Sequence, residues 1–109
     1  MNGSKVIAFD EKNFDAEVLA QDNLVLVDFW SEGCVPCKQL HRVLGQLAGE
    51  ISPNVRIGIV DMGCNPSLVE RFGVRAAPTL LFFKAGAVVE TRTGVDRRQV
   101  LKKLVETHA

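Results

Sequence analysis

Two cysteines three positions apart, Cys34 and Cys37, are the residues of this chain whose spacing most clearly allows chemistry. They follow the apolar run 24–30, so a strand that ends there and a helix that begins near Cys34 would place the first thiol at a helix N-terminus. Unpaired backbone N–H groups and the positive end of the helix dipole favour a thiolate at that position. The second thiol lies on the same helical face, so the two sulfurs can close into a disulfide or attack a foreign one.

A structural zinc site is the alternative interpretation of this pair. Tetrahedral zinc takes four ligands. The candidates are Cys34, Cys37, Cys64 and His41, and they could meet only if the loop that carries Cys64 folded over the helix. Cys64 is otherwise predicted to be a small, semi-buried side chain, with a regulatory thiol as the alternative. His41 is predicted to face solvent on the helix, and His108 lies in the tail. Because the zinc site would require that additional folding, we expect no bound metal.

Length and composition are those of one globular domain spanning residues 1–109. Apolar residues make up 47% of the chain and charged residues 24%, without a low-complexity run, so a packed core is expected and disorder is not. Thirteen basic and thirteen acidic side chains cancel. This balance leaves no overall field that would attract nucleic acid or an acidic membrane surface.

The amino-terminal segment and the cysteine count bear on the compartment. Residues 1–10 lack the long apolar segment and the cleavage site of a secretory signal. No apolar run approaches the ~20 residues that span a bilayer. Three cysteines cannot form a framework of several disulfides. The chain as given is therefore expected to be cytoplasmic, unless a leader was removed.

The elements that must position the cysteines are predicted from apolar periodicity and turn residues. Strands are expected over 6–9, 24–30, 55–60, 79–83 and 88–93, and helices after Asp10 or Asn13, over 34–48, after Asn65-Pro66 and over 96–107. The order β-α-β-α-β-α-β-β-α predicts an α/β fold, in which a central mixed five-stranded sheet is flanked by four helices. Cys34 then lies beyond the carboxyl end of a central strand, where the functional groups of such sheets gather.

Two local features of the helices carry further expectations. Gly45 inside the second helix costs up to ~1 kcal/mol relative to Ala, so packing is expected to require it. Asp96 with Gln99 resembles a capping box at the start of the last helix.

Three motifs in order resemble those of the thioredoxin family. They are Val27-Asp28-Phe29-Trp30, Cys34-x-Pro36-Cys37-Lys38, and Ala77-Pro78-Thr79 followed by an apolar strand and Gly94. The likeness covers nearly the whole chain and implies the thioredoxin fold. It also implies a protein disulfide oxidoreductase that reduces target-protein disulfides through a reversible Cys34–Cys37 disulfide. In that reaction Cys34 is the nucleophile and Cys37 the resolving thiol.

The resemblance also implies partners. No bound cofactor is expected, because electrons would come from an NADPH-dependent flavoprotein thioredoxin reductase. The expected partners are that reductase and disulfide-containing client proteins, with no nucleic acid and no membrane, and the chain is expected to be a monomer. An oxidase or isomerase, a redox protein with a dedicated partner, and a non-enzymatic binding module are the alternatives.

Asp28 is the one acid in an otherwise apolar strand. Burial of a carboxyl raises its pKa, so Asp28 is predicted to accept the Cys37 proton during resolution. A surface acid at a strand end, or a fold-specifying hydrogen bond, is the alternative. In the family a lysine on the neighbouring strand commonly lies near this acid, and Ile59 holds that place here.

A docking surface around the cysteines is also implied by the resemblance. Its residues are Trp30, Val35, Pro36, Ala77, Pro78 and Gly94. The Ala77–Pro78 bond is expected to be cis, although only ~5% of such bonds in folded proteins are. Ala77 would offer backbone groups to an extended client segment. Trp30 is expected beside the cysteine pair, with a purely core role as the alternative.

Three residues depart from the family pattern close to the cysteines. Gly33 replaces the usual Trp, Val35 the usual Gly, and Arg42 the proline that kinks the helix. The reaction is expected to survive these changes. Client choice and reduction potential are expected to differ from those usual in the family, because both depend on groups that contact the sulfurs.

Overall fold

A computed structural model describes residues 6–109, within which five strands form one mixed sheet. The strands are β1 (Val6–Ala8), β2 (Val25–Trp30), β3 (Arg56–Asp61), β4 (Thr79–Lys84) and β5 (Ala87–Thr93). The α-helices are α1 (Val35–Ala48), α2 (Pro66–Arg71) and α3 (Arg98–His108), and a short π-helical turn, Asp15–Leu19, precedes β2. The predicted element order and the α/β class are confirmed.

The sheet order is β1-β3-β2-β4-β5. Strands β1 and β2 both run parallel to β3, whereas β4 runs antiparallel to β2 and to β5. The end of β2 therefore meets the beginning of β4, where Phe29 pairs with Thr79, and Thr79 in turn pairs with Thr93 at the end of β5. The segments that follow β2 and β5 and that precede β4 consequently share one edge of the sheet.

Strand β2 is the buried centre of the sheet, as predicted from its apolar run. Its residues alternate between two cores. Val25, Val27 and Phe29 pack with the core that includes the π-helical turn and α2, and Leu26 packs with the core that includes α1 and α3. By the same alternation Asp28 points toward α1 and α3.

The start of α3 differs from the predicted capping box. The residue at the N-cap position is Arg97, and no side chain caps the helix. Asp96 instead pairs with Arg92 on β5, with Oδ2 2.9 Å from Nε. The predicted capping box of Asp96 and Gln99 is wrong, because Arg92 of β5 binds the Asp96 carboxylate that would otherwise have capped α3.

Two glycines sit in opposite packing environments. A Cβ atom on Gly58 of β3 would lie 2.6 Å from the backbone oxygen of Ile7 and would press into the ring of Phe9. A Cβ atom on Gly45 of α1 would meet no atom within 4 Å. Packing therefore requires glycine at 58 but not at 45, where the expectation from the sequence is wrong.

Alanine at these two positions is expected to change stability in opposite directions. Gly58→Ala should lower the free energy of unfolding by about 1–3 kcal/mol, because β1 must move away from β3. Gly45→Ala should raise it by about 0.5–1 kcal/mol, because alanine loses less backbone entropy in a helix and fits the open space. Guanidinium unfolding of both variants measures the difference, and equal stabilities would contradict this account of the packing.

Candidate active site

The cysteine pair lies where the loop after β2 enters α1. Cys34 is the N-cap residue of α1, with extended backbone angles, and Cys37 lies in the first turn. The two sulfurs form a disulfide, and their Cα atoms are 5.2 Å apart. The backbone N–H of Cys37 donates to Sγ of Cys34 at 3.1 Å. The helix N-terminus is thus directed at the Cys34 sulfur, which favours negative charge there once the pair is reduced.

The two cysteines differ in accessibility. Cys37 is 1% exposed, whereas Cys34 is partly exposed. Between them, Val35 has 64% of its surface exposed, and Pro36 is exposed as well. A large disulfide substrate can therefore reach the Cys34 sulfur, while the Cys37 sulfur is shielded until its partner has reacted.

The segment before β4 completes the same edge. The Ala77–Pro78 peptide bond is cis, as the resemblance implied. The carbonyl oxygen of Ala77 lies 3.7 Å from Sγ of Cys34. Gly94, which follows β5, donates its N–H to the carbonyl oxygen of Pro78 at 3.0 Å. The sheet topology thus brings Cys34, Ala77, Pro78 and Gly94 together, although they are far apart in sequence.

A cavity of about 570 Å³ opens beside the disulfide. Its wall includes Trp30, Cys37, Lys38, His41 and Ile59. Trp30 is partly exposed and shares this wall with both cysteines. It therefore lies beside the pair and outside the two buried cores.

Asp28 is buried on the α1 side of β2. Its exposed fraction is 0%, and neither carboxyl oxygen accepts a hydrogen bond from residues 6–109. Desolvation raises the pKa of Asp28 to about 7. Ile59 is its register partner on β3, so the neighbour of the carboxyl across the sheet is an apolar side chain. The carboxyl is therefore able to change protonation state near neutral pH.

His41 does not face solvent as predicted. Its side chain is only 32% exposed, and Nε2 lies 3.0 Å from Oδ2 of Asp28. The imidazole also packs edge-on against Trp30, with ring centroids 5.7 Å apart. Burial lowers the pKa of His41. The expectation overlooked the spacing of His41 from Cys37, which places both on one face of α1.

Cys64 is exposed and is not the semi-buried side chain that the sequence predicts. Its Sγ lies 3.5 Å from Oδ2 of Asp61. The hydrogen bond to this carboxylate, and then its negative charge, raise the pKa of the thiol. Cys64 is accordingly less disposed to form a thiolate than an ordinary surface cysteine.

The zinc arrangement does not form in the described part of the chain. His41 faces Asp28, the two cysteines of the motif are bonded to each other, and no three His, Cys, Asp or Glu side chains of residues 6–109 are grouped to hold a metal ion. His108 ends α3 and lies 3.0 Å, through Nε2, from Oε1 of Glu90. Across residues 6–109, every helix is too short or too polar to cross a membrane.

The departures from the family pattern leave the local fold intact. Gly33 has φ +80°, a left-handed conformation that side chains rarely adopt, and the space around it is open. Helix α1 runs without a break from Val35 to Ala48, through Arg42. The area just before Cys34 thus lacks the apolar side chain that the family usually presents there.

Comparisons with known proteins cover nearly the whole chain. The family model described as Thioredoxin matches residues 5–107. A protein named Thioredoxin from Chlorobaculum thiosulfatiphilum is 36% identical over 98 residues, which are 90% of this chain and 91% of that protein. Thioredoxin 2 from Chlorobaculum tepidum is 35% identical over 108 residues, 99% of this chain and 98% of that protein. Thioredoxin from Haemophilus influenzae is 35% identical over 105 residues, 96% of this chain and 98% of that protein.

Proposed function

Because the chain belongs to the thioredoxin family and is a protein disulfide oxidoreductase, we propose that it reduces client disulfides with Cys34 as nucleophile and Cys37 as resolving thiol. The observation that carries this assignment is the contrast between the two sulfurs. Cys34 is partly exposed and receives the Cys37 N–H at 3.1 Å, whereas Cys37 is 1% exposed. A thiolate is therefore favoured at the sulfur that a client can reach.

The reaction runs in two exchanges. The Cys34 thiolate attacks one sulfur of the client disulfide, so a Cys34–client disulfide forms and the client disulfide breaks. Cys37, having lost its proton, then attacks Sγ of Cys34 and releases the second client sulfur as a thiolate, which takes up a proton from solvent. The client gains two electrons, and the protein is left with the Cys34–Cys37 disulfide, which is the bond present in the structure.

Asp28 is proposed to accept the proton that Cys37 must lose before it attacks. A proton acceptor works best when its pKa is near the operating pH, and burial raises the pKa of Asp28 to about 7. The carboxyl lies on the α1 side of the sheet, against His41, one helical turn beyond Cys37. Transfer runs directly or through one water molecule.

The proposed client surface combines the exposed motif residues with the edge of the sheet. Val35 and Pro36 present apolar contact area beside Cys34, and Ala77 offers backbone groups to an extended client segment. Trp30 lies on the cavity side of this surface. Pro78 and Gly94, joined by a backbone hydrogen bond, lie on the side of the sheet. Because Gly33 contributes no side chain, a client contacts mainly Val35 on the motif side.

We further propose that residues 1–109 act as one monomeric domain in the cytoplasm, without nucleic acid or a membrane as a partner. The electron donor would be an NADPH-dependent flavoprotein thioredoxin reductase. Reducing compartments keep such dithiols available. No bound cofactor is needed, because the cysteine pair carries two electrons as the dithiol and gives them up when it closes to the disulfide.

Electron transfer to and from the pair tests this proposal. With insulin as client, the protein is expected to accelerate disulfide reduction when NADPH and a thioredoxin reductase are supplied. Equilibration with glutathione buffers gives the reduction potential, and each ~30 mV shifts the balance about tenfold. A potential near the ~−120 mV of a strong oxidant would favour the oxidase direction instead. A reductase that ignores the protein would indicate a dedicated electron donor.

A further inference from the structure

Two buried polar groups face each other behind the disulfide without any other partner among residues 6–109. Both carboxyl oxygens of Asp28 and Nε2 of His41 are buried and form no well-directed hydrogen bond. Nε2 and Oδ2 are nevertheless 3.0 Å apart. The separation is that of a hydrogen bond, but the direction is not, so the contact is a close approach of two polar atoms. The distance is short enough for proton transfer, and a rotation of the imidazole that directs the Nε2 lone pair at Oδ2 would allow it.

No other basic group of the described chain reaches the carboxyl. Within residues 6–109, His41 is the sole Lys, Arg or His within ion-pair distance of Asp28. The register partners of Asp28 are both apolar: Ile59 on β3 and Leu80 on β4. The charged side chains that line the adjoining cavity are Lys38 and Glu32. The imidazole is thus the nearest basic group of residues 6–109 to which Asp28 can pass a proton.

The imidazole connects this buried carboxyl to solvent. With 32% of its side chain exposed, His41 lines both the cavity beside the cysteines and a second cavity of about 240 Å³. Cys37 precedes it by one helical turn, on the same face of α1. A proton that leaves Cys37 for Asp28 therefore has His41 as its next acceptor on the way out.

Given the proposed role of Asp28 as proton acceptor, we propose that His41 is a positioning residue for the resolving step, which relays the proton from Oδ2 of Asp28 to solvent. In this step the Cys37 thiol loses its proton to the Asp28 carboxylate while its sulfur bonds to Sγ of Cys34. The Cys34–client bond breaks, and the client sulfur leaves as a thiolate. In the same step Oδ2 passes its proton to Nε2, and Nδ1 releases a proton to solvent, so Asp28 returns to the carboxylate. His41 is left with its proton on Nε2 and regains the starting tautomer when its ring protons exchange with solvent.

The two steps can be separated with an aromatic disulfide that releases a coloured thiolate, Ellman's reagent, acting on the reduced protein. Attack by Cys34 gives the first absorbance phase, and resolution by Cys37 gives a second phase whose rate does not depend on reagent concentration. Cys64→Ser serves as the common background, because the exposed Cys64 would add a third phase.

Loss of the relay is expected to slow the second phase alone. His41→Ala and His41→Gln should each slow it about tenfold or more, because neither side chain can carry the proton. Imidazole added to the buffer should restore the rate of His41→Ala but should not accelerate Asp28→Asn. Gln39→Ala, at an exposed position of α1, is the matched control and should leave both phases unchanged.

The outcomes separate this inference from the function on which it rests. An unchanged second phase in Asp28→Asn overturns the proposed role of Asp28, and the relay with it. A slow Asp28→Asn beside an unaffected His41→Gln overturns the relay alone, since glutamine would then suffice as a structural replacement. A slow His41→Ala that imidazole does not restore overturns the relay as well.

Discussion

A Cys34→Ser variant is expected to reduce insulin no faster than a blank without protein. The hydroxyl of serine is not ionised at neutral pH and cannot take the place of the thiolate, while Cys37, at 1% exposed, is shielded from a large disulfide. The measurement is the initial rate of insulin reduction with dithiothreitol as electron donor.

Cys64→Ser is the control for this loss. Cys64 is exposed but lies beside Asp61, which raises its pKa and disfavours the thiolate, so we expect it to take no part in the exchange. The control variant should retain the full rate. Activity that persists in Cys34→Ser, or that disappears in Cys64→Ser, would show that Cys34 is not the nucleophile.

Asp28→Asn is expected to stabilise the protein at high pH. The carboxyl has an ordinary pKa of 3.8 and a pKa of about 7 when buried in the fold. Because the folded-state value is raised, its contribution to stability is fully present below 3.8 and is lost as pH rises through about 7. Each pKa unit corresponds to about 1.4 kcal/mol. The advantage of the variant should therefore grow from near zero at pH 4 to about 2–4 kcal/mol at pH 9.

Guanidinium unfolding of the oxidised proteins at both pH values measures this difference. Asp22→Asn, at an exposed acid, is the matched control and should stay within about 0.5 kcal/mol of the parent at both. A stability difference between Asp28→Asn and the parent that does not change with pH would show that the carboxyl is not held protonated by burial.

The same variant is expected to resolve mixed disulfides slowly. Asparagine cannot accept the Cys37 proton, and a positioned proton acceptor contributes on the order of 10²-fold or more. The second phase of the aromatic disulfide reaction reports this step. Normal turnover by a folded Asp28→Asn variant would contradict the proposed role. The gain in stability and the loss in rate would have one cause. The buried carboxyl destabilises the fold when it is ionised, and the same carboxyl accepts the Cys37 proton.

Most of the fold could be predicted from the sequence because its signals are local. The continuous apolar run in β2 predicts a central strand, and the short link between β4 and β5 predicts antiparallel pairing. The capping at Asp96 was mispredicted because its partner, Arg92, belongs to the neighbouring strand. The need for glycine at 58 depends on Phe9 and Ile7, which reach it only after β1 pairs with β3.

The site could be predicted in part for the same reason. The register pairing of Asp28 with Ile59 places an apolar residue beside the carboxyl, in line with the neighbour expected from the sequence. Asp28 lies on a strand and His41 on a helix. The sequence pattern indicates which face of each element is buried, but it does not indicate that the two side chains approach to 3.0 Å. The i,i+4 spacing of Cys37 and His41 is the signal that could have indicated it.

The attachment site of a trapped client tests the central claim most directly. In a Cys37→Ser variant the first exchange can proceed but the second cannot, so a client should remain bonded to the protein. Mass spectrometry of the peptide fragments, prepared without reductant, identifies the cysteine that carries it. The account predicts a client on Cys34, with none on Cys64. A client found on Cys64, or a Cys37→Ser variant that still turns over and traps nothing, would contradict it.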